Sequence, residues 1–351
     1  MEAGQLLVVG KAAVRSLLPM RKCVDALEQA FLALAEQRAR QDGGPEFVQQ
    51  PVRSKLWAKD GEGLIQMPCF LSAKGATEGA PRKEMLGTKV LSYFATNAGT
   101  PYAVVQGCVL VFDAANGAVR AIIEASEVTA IRTASTSGLA TQLLCRDTSD
   151  LVCTIVGAGK EAHTHIAAMH AVRDIKKFMV WCRSPEKGQK FVEEQLGLWA
   201  DARFSIEYCA NLQAACEAAD IICTVTSATE PVVRGEWLKA GTHVNAIGAF
   251  QPHTRELDTD VIRKARVFCE EWDAAWSEAG DLIIPVEEGA VGKEHVLADL
   301  ADLASKRVAG RTSDADVTVF KGTGVSLEDM AAAQAILDAA VDSGGGQWVE
   351  F

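Results

Sequence analysis

The residues whose spacing most plainly suggests chemistry are Gly157, Gly159 and Ala162. They follow the β-forming run Leu151-Val-Cys-Thr-Ile-Val156 and open a helix with apolar periodicity, so strand, tight turn and helix N-terminus succeed one another directly. A helix start offers backbone N–H groups and a positive dipole end, which suit a pyrophosphate. Gly157 permits the sharp turn, Gly159 lets phosphate approach the backbone, and the small Ala162 lets helix and strand pack closely. Gly157, Ala158, Gly159, Lys160, Glu161 and Ala162 are therefore the expected cradle of a dinucleotide. A carboxylate about 20 residues further on would bind a free ribose 2′-OH. This chain instead ends its second strand, Lys176-Lys-Phe-Met-Val-Trp-Cys182, with Arg183 and Ser184. A guanidinium and a hydroxyl beside Cys182 suit a 2′-phosphate, so NADPH is the expected cofactor and NADH the alternative. The blander reading of Arg183 is a solvated strand-end cation.

Histidines offer less. His163 and His165 are two apart on the helix and so point to different faces, which does not make a metal pair, and no metal is expected. His253 follows Phe250 in a loop, where a solvated histidine is the ordinary finding.

The elements that must position these groups divide the chain. Strand-like runs at 6–9, 47–57, 64–71, 85–94, 101–113 and 119–124, with an amphipathic helix over 20–38, make the first 125 residues mostly sheet. Gln41 to Glu46 reads as a polar loop, and Asn116-Gly117 as a hairpin turn. A helix over 127–144 is nearly free of charge except for Arg132. From about 150 to 270 strands and helices alternate, which predicts a doubly wound parallel sheet with ligands at the carboxyl ends of its strands. The run from Val317 to Gly324 and a helix over 327–341 are expected to return the chain to the first domain. The fold class is therefore α/β: a Rossmann-type parallel sheet plus an α+β domain.

With 351 residues the chain suits two domains. No stretch reaches the ~20 apolar residues of a membrane span, and no secretory leader is evident, so the cytoplasm is the expected compartment. The 10 cysteines are scattered, several inside apparent buried strands, and read as reduced packing residues. A net charge of −11 argues against a nucleic-acid partner. An anionic ligand must then be held by a few local cations.

The combination Gly-Thr-Lys89-Val, Ala-Ile-Arg132-Thr-Ala-Ser, Val-Gly-Ala-Gly-Lys-Glu-Ala, Thr-Val-Thr226-Ser-Ala-Thr-Glu-Pro, Gly241-Thr-His-Val-Asn245-Ala-Ile-Gly, Arg255-Glu-Leu-Asp and Thr318-Val-Phe-Lys-Gly-Thr-Gly-Val-Ser-Leu-Glu-Asp329 resembles the ornithine cyclodeaminase/mu-crystallin family over nearly the whole chain. Gln-Pro-Val-Arg53, Gly235-Glu-Trp237 and the Trp-x-Arg-Ser of the cofactor strand look most similar to its mu-crystallin (ketimine reductase) branch. The resemblance implies a homodimer, with 1–130 and 325–351 as substrate-binding and dimerisation domain and 131–324 as NAD(P)-binding domain. It implies that Arg53, Lys89 and Arg132 hold a substrate carboxylate, Lys89 and Arg132 being the catalytic candidates. It also implies that Thr226, Ser227, Ala228, Gly248 and Thr323 face the cofactor. Two guanidinium forks and an ammonium drawn from apolar elements are what an imino-acid carboxylate needs, although each alone could be a structural ion pair.

Two departures shape the expected function. Cyclodeaminases carry an aspartate where this chain has Phe250, and a phenyl ring takes no proton and holds an ammonium poorly, which argues against ornithine cyclisation and makes Phe250 an apolar substrate contact. The family's Lys-Ser-hydrophobic-Gly has become Lys321-Gly322-Thr323-Gly324, leaving Thr323 as the candidate hydroxyl. The expected reaction is NADPH-dependent reduction of cyclic ketimine carboxylates such as Δ1-pyrroline-2-carboxylate or Δ1-piperideine-2-carboxylate. The alternatives are an alanine- or opine-type dehydrogenase, a cyclodeaminase, or a non-enzymatic NADPH-linked binding protein.

Overall fold

The computed structural model describes residues 4–40, 47–59, 61–72, 84–97 and 99–351, so the expected loop Gln41 to Glu46 lies outside the described residues. The chain divides into two compact units, Met1–Arg132 with Val325–Phe351, and Thr133–Gly324.

The first unit opens with β1 (Gln5–Val9), α1 (Lys11–Leu17) and α2 (Met20–Ala39). Pro19 precedes α2, and Cys23, Val24, Leu27, Ala30, Phe31 and Leu34 are all buried along one helical stripe. Burying Phe31 completely contributes roughly 1.5–3 kcal/mol. Next come β2 (Val48–Gln49), β3 (Ser54–Lys59), β4 (Glu62–Leu71), β5 (Met85–Phe94), β6 (Val105–Phe112) and β7 (Val119–Glu124). The single strand expected over 47–57 is two strands, interrupted by Gln50-Pro51-Val52-Arg53, because proline cannot donate to a ladder. β4 to β7 form an antiparallel meander in which Lys89 of β5 sits opposite Met67 of β4 and Val109 of β6. The β6–β7 link turns at Gly117, whose φ of +77° favours glycine. The helix α3 (Ala125–Leu144) begins two residues earlier than its charge pattern suggested, with the Glu124 carboxylate accepting from the Ser126 and Glu127 backbone N–H groups.

The second unit is built on β8 (Leu151–Val156), α4 (Lys160–Val172), β9 (Ile175–Trp181), α5 (Pro185–Leu198), β10 (Ser205–Tyr208), α6 (Leu212–Ala218), β11 (Ile221–Thr224), β12 (His243–Ala246), α7 (Thr259–Lys264) and β13 (Arg266–Cys269). Then follow α8 (Trp272–Glu278), α9 (Gly280–Glu287), β14 (Val296–Asp299), α10 (Leu300–Ala304) and β15 (Thr318–Lys321). All its strand pairs are parallel, in the order β10-β9-β8-β11-β12-β15-β13-β14. The order reverses between β8 and β11, which is where a doubly wound sheet opens a crevice for its ligand. The Val317 to Gly324 run does not lead out of this unit, since β15 lies inside the sheet between β12 and β13. Its four residues, Thr318 and Lys321 included, are all buried, as in a strand covered on both faces.

Only after Gly324 does the chain rejoin the first unit, through α11 (Ser326–Ser343) and β16 (Gln347–Glu350), which pairs antiparallel with β1. The first sheet then runs β16-β1-β7-β6-β5-β4-β2, with β3 also on β4. α11 packs on α2 and across β4 and β5. Gly87 allows the contact, because a Cβ there would come within 2.7 Å of the Met330 sulfur.

Candidate functional site

In the first unit, two of the expected cations meet on the first turn of α11. Lys89 points from β5 and is 1% exposed; its Nζ lies 2.8 Å from both carboxylate oxygens of Asp329. Arg132 of α3 donates Nε to the same Asp329 Oδ1 at 3.2 Å and Nη1 to Glu328 Oε2 at 2.7 Å. Glu328 and Asp329 are themselves fully buried. The ion-pair alternative is thus realised for both cations, and the partners are residues that the sequence reading quoted only as part of a motif. Their cue was local: two adjacent acids at a helix start, where the dipole favours anions. Burial pulls the Lys89 ammonium down to about 8, Arg132 adds to the fall, Asp329 opposes it, and the Arg53 charge lowers it further. Arg53 is half-buried on the loop between β2 and β3, near enough for its charge to act on Lys89. Close by, Gln50 accepts a hydrogen bond from the Leu327 N–H at 3.1 Å, tying this loop to the α11 start.

In the second unit the turn after β8 has the form a dinucleotide needs. Gly157 has φ +131°, and a Cβ on it would lie 2.7 Å from the Val225 carbonyl oxygen. Its N–H donates to Trp181 O at 2.7 Å, fixing the turn against β9. Gly159 is the extended N-cap of α4, carries no side-chain cap, and has open space where a Cβ would stand. Ala162 is completely buried. An N-terminus with a glycine cap and open space above it fits a phosphate, which a side chain at Gly159 would displace. Ala158 is half-buried, Lys160 exposed and Glu161 half-buried on the same turn. At the end of β9, Cys182 donates its thiol to Ser184 O at 3.0 Å, Ser184 caps α5 by accepting from the Lys187 N–H, and Arg183 is exposed.

The ends of β11 and β12 converge on a carboxylate that the sequence reading did not single out. Glu256 accepts from Thr224 Oγ1, from the Thr226 N–H and hydroxyl, and from the Gly248 N–H, each at 2.7 Å. The Thr226 hydroxyl in turn accepts from the Ala228 N–H at 3.1 Å, folding Ser227 into the turn. Gly248 must be glycine, since a Cβ would sit 2.1 Å from Thr226 O. Burial raises the Glu256 carboxyl, and neighbouring Asp281 raises it further, against Lys321 and the threonine hydroxyls. Asp281 receives the Glu256 and Leu257 N–H groups and lies 2.9 Å from Lys321 Nζ. Thr323 is buried, with its N–H donating to Glu270 at 3.0 Å and its hydroxyl at 3.4 Å. Phe250, on the loop after β12, is 39% exposed.

The 10 cysteines are free, with Cys153, Cys223 and Cys269 wholly buried in strands. His165 is buried, its Nε2 3.0 Å from the Ser137 hydroxyl and its Nδ1 2.7 Å from Glu161 O. Among the described residues, no helix is long and apolar enough to cross a membrane.

Residues 6–344 match the model of the ornithine cyclodeaminase/mu-crystallin family. The chain is 34% identical to the ketimine reductase mu-crystallin of Mus musculus over 87% of this chain and 89% of that one. It is 34% identical to a Δ1-pyrroline-2-carboxylate reductase of Bacillus cereus over 99% and 100% of the two chains. The Δ1-pyrroline-2-carboxylate reductase of Thermococcus litoralis, solved in complex with NADH and L-proline, superimposes with a TM-score of 0.87 at 30% identity, covering 97% of this chain and 99% of that one. The chain belongs to the ornithine cyclodeaminase/mu-crystallin family.

Proposed function

We propose that this protein is a nicotinamide-dependent reductase that delivers hydride to the C=N carbon of cyclic ketimine monocarboxylates, of the Δ1-pyrroline-2-carboxylate or Δ1-piperideine-2-carboxylate type, giving cyclic L-amino acids. The observation that carries this reading is the buried pairing of Lys89 with Arg132 on one carboxylate-bearing helix turn, within range of the Arg53 charge. Asp329 and Glu328 hold these two cations side by side in a water-poor setting, and with Arg53 their remaining N–H donors would receive a substrate carboxylate. Nicotinamide supplies the hydride when bound. Gly157 to Ala162 would take its pyrophosphate, and Cys182, Arg183 and Ser184 its ribose phosphate. The Thr226 to Ala228 turn, Gly248 and Thr323 would flank the nicotinamide side. Arg183 in place of an acid favours NADPH over NADH.

Arg53, Lys89 and Arg132 bind and orient the imino acid, which fixes the imine carbon for transfer and lowers the entropic part of the activation barrier. Phe250 offers an apolar ring where cyclodeaminases hold a carboxylate, so this chain lacks at that position a group to receive the proton of a leaving amine. We further propose that the active form is a homodimer, as the family resemblance implies. The reading is tested by following NADPH and NADH consumption with a panel of five- and six-membered cyclic imines, keto acid plus amine pairs, and ornithine. Rapid turnover of the ring imines with NADPH supports it. Faster turnover of open-chain keto acid plus amine, or ammonia release from ornithine, would replace it with a dehydrogenase or a cyclodeaminase.

A further inference from the structure

We propose that Asp329, assisted by Glu328, is the positioning residue of the substrate clamp: from the first turn of α11 it sets the Lys89 ammonium beside the Arg132 guanidinium and retains the Lys89 proton as the pH rises. The inference deepens the reductase reading and rests on it. One oxygen, Asp329 Oδ1, receives both Lys89 Nζ at 2.8 Å and Arg132 Nε at 3.2 Å, so a single buried carboxylate is the common anchor of two cations from different elements. Left without it, two like charges in a water-poor site would repel and part, or one would lose its proton. Glu328 accepts from Arg132 Nη1 at 2.7 Å and so fixes the second guanidinium nitrogen.

The backbone fits this role. Both acids stand in the opening turn of α11, whose dipole favours negative charge, and Gly87 lets the next residue, Met330, seat the helix on β5 two residues from Lys89. Among the described residues, the charged groups acting on Lys89 are Asp329 from α11, Arg132 from α3 and Arg53 from the loop before β3. Glu328 lies behind Arg132, and the buried Cys69 thiol of β4, near Asp329, is pushed up by burial and by that carboxylate, so it stays neutral. With Asp329 present, burial and Arg132 still hold the ammonium below its usual range, down to about 8. The clamp therefore loses a positive charge as the pH climbs through that value. Removing the Asp329 charge takes away the main group opposing the depression and moves the loss to lower pH.

The test measures pH profiles of kcat/KM for Δ1-pyrroline-2-carboxylate in the unmutated protein, Asp329→Asn, Asp329→Glu and Glu328→Gln. Alongside, the Lys89 side-chain nitrogen is titrated by NMR in protein without substrate, its signal assigned by loss in Lys89→Arg. The proposal expects Asp329→Asn to shift both the alkaline limb and the Lys89 titration downward by roughly one pH unit or more. It also expects KM to rise on the order of tenfold while the NADPH Kd stays put, and Asp329→Glu to restore most of the profile. Glu328→Gln should raise KM without moving the limb. An Asp329→Asn protein that only melts earlier, with limb and titration in place, would make the pairing purely structural and overturn the proposal. If Asp329→Asn does not fold, Asp329→Ser takes its place, and an alkaline limb and a Lys89 titration left in place there overturn the proposal equally. Failure of the reductase reading shows separately, as an unmutated protein inactive on every cyclic imine, and the NMR arm still decides whether Asp329 holds the Lys89 proton.

Discussion

At the scale of single residues, charge placement separates what can be read in order along a chain from what cannot. Arg183 is legible because the offset from a glycine turn to the end of the next strand is fixed by geometry, and the structure leaves its side chain exposed beside the α5 N-terminus. A 2′-phosphate held as proposed would lose with it a charge-assisted partner worth roughly 1.5–3 kcal/mol, so Arg183→Ala should weaken NADPH binding on the order of 10- to 100-fold and leave NADH binding nearly unchanged. Calorimetric Kd values for both cofactors check this; an equal loss for the two would assign Arg183 no part in telling them apart. Lys89 and Arg132 were legible through family motifs, but their anchors were not. Asp329 lies 240 residues from Lys89, and Glu328 lies 196 from Arg132, so only the folded chain joins them. Glu256 stayed hidden for the same reason, since the four donors it gathers come from two strand ends about 10 to 30 residues upstream.

At the scale of elements, periodicity located most helices and strands, and local chemistry decided their ends. The 47–57 run alternates as a strand should, yet Pro51 splits it into β2 and β3, which leaves Arg53 on a loop. β15 reads as a return strand by its place in the chain but is inserted between β12 and β13, a topology that no local pattern encodes. The packed elements also carry a pH signature. Burial lowers His165 of α4 to about 4 and His243 of β12 to about 3, the latter helped by the Arg311 charge. The unfolded chain binds these protons near 6.5 while the folded one refuses them, so their contribution is intact above about 6.5 and is lost as the pH falls toward the folded values. Each histidine should cost roughly 1.4 kcal/mol per pH unit across its window. Urea unfolding at about pH 7.5 and about pH 5 should show a smaller acid loss in His165→Asn than in the unmutated protein; parallel losses in the two would refute the assignment.

At the scale of the whole molecule, 351 residues and the change from a strand-rich beginning to alternating strands and helices suit two units. The structure joins Met1–Arg132 to Val325–Phe351, so α11 brings Glu328 and Asp329 back to a unit whose sheet and α3 supply Lys89 and Arg132. With a net charge of −11, the molecule as a whole repels anions, so the carboxylate recognition proposed for it falls to a few local cations. The central claim is that this clamp serves reduction of a ring imine. The most direct measurement is the initial rate of NADPH consumption with Δ1-pyrroline-2-carboxylate in the absence of added ammonia, with L-proline quantified as product. The account predicts saturable turnover yielding one L-proline for each NADPH oxidised, and an absence of NADPH oxidation with this imine, or oxidation without L-proline, would contradict it.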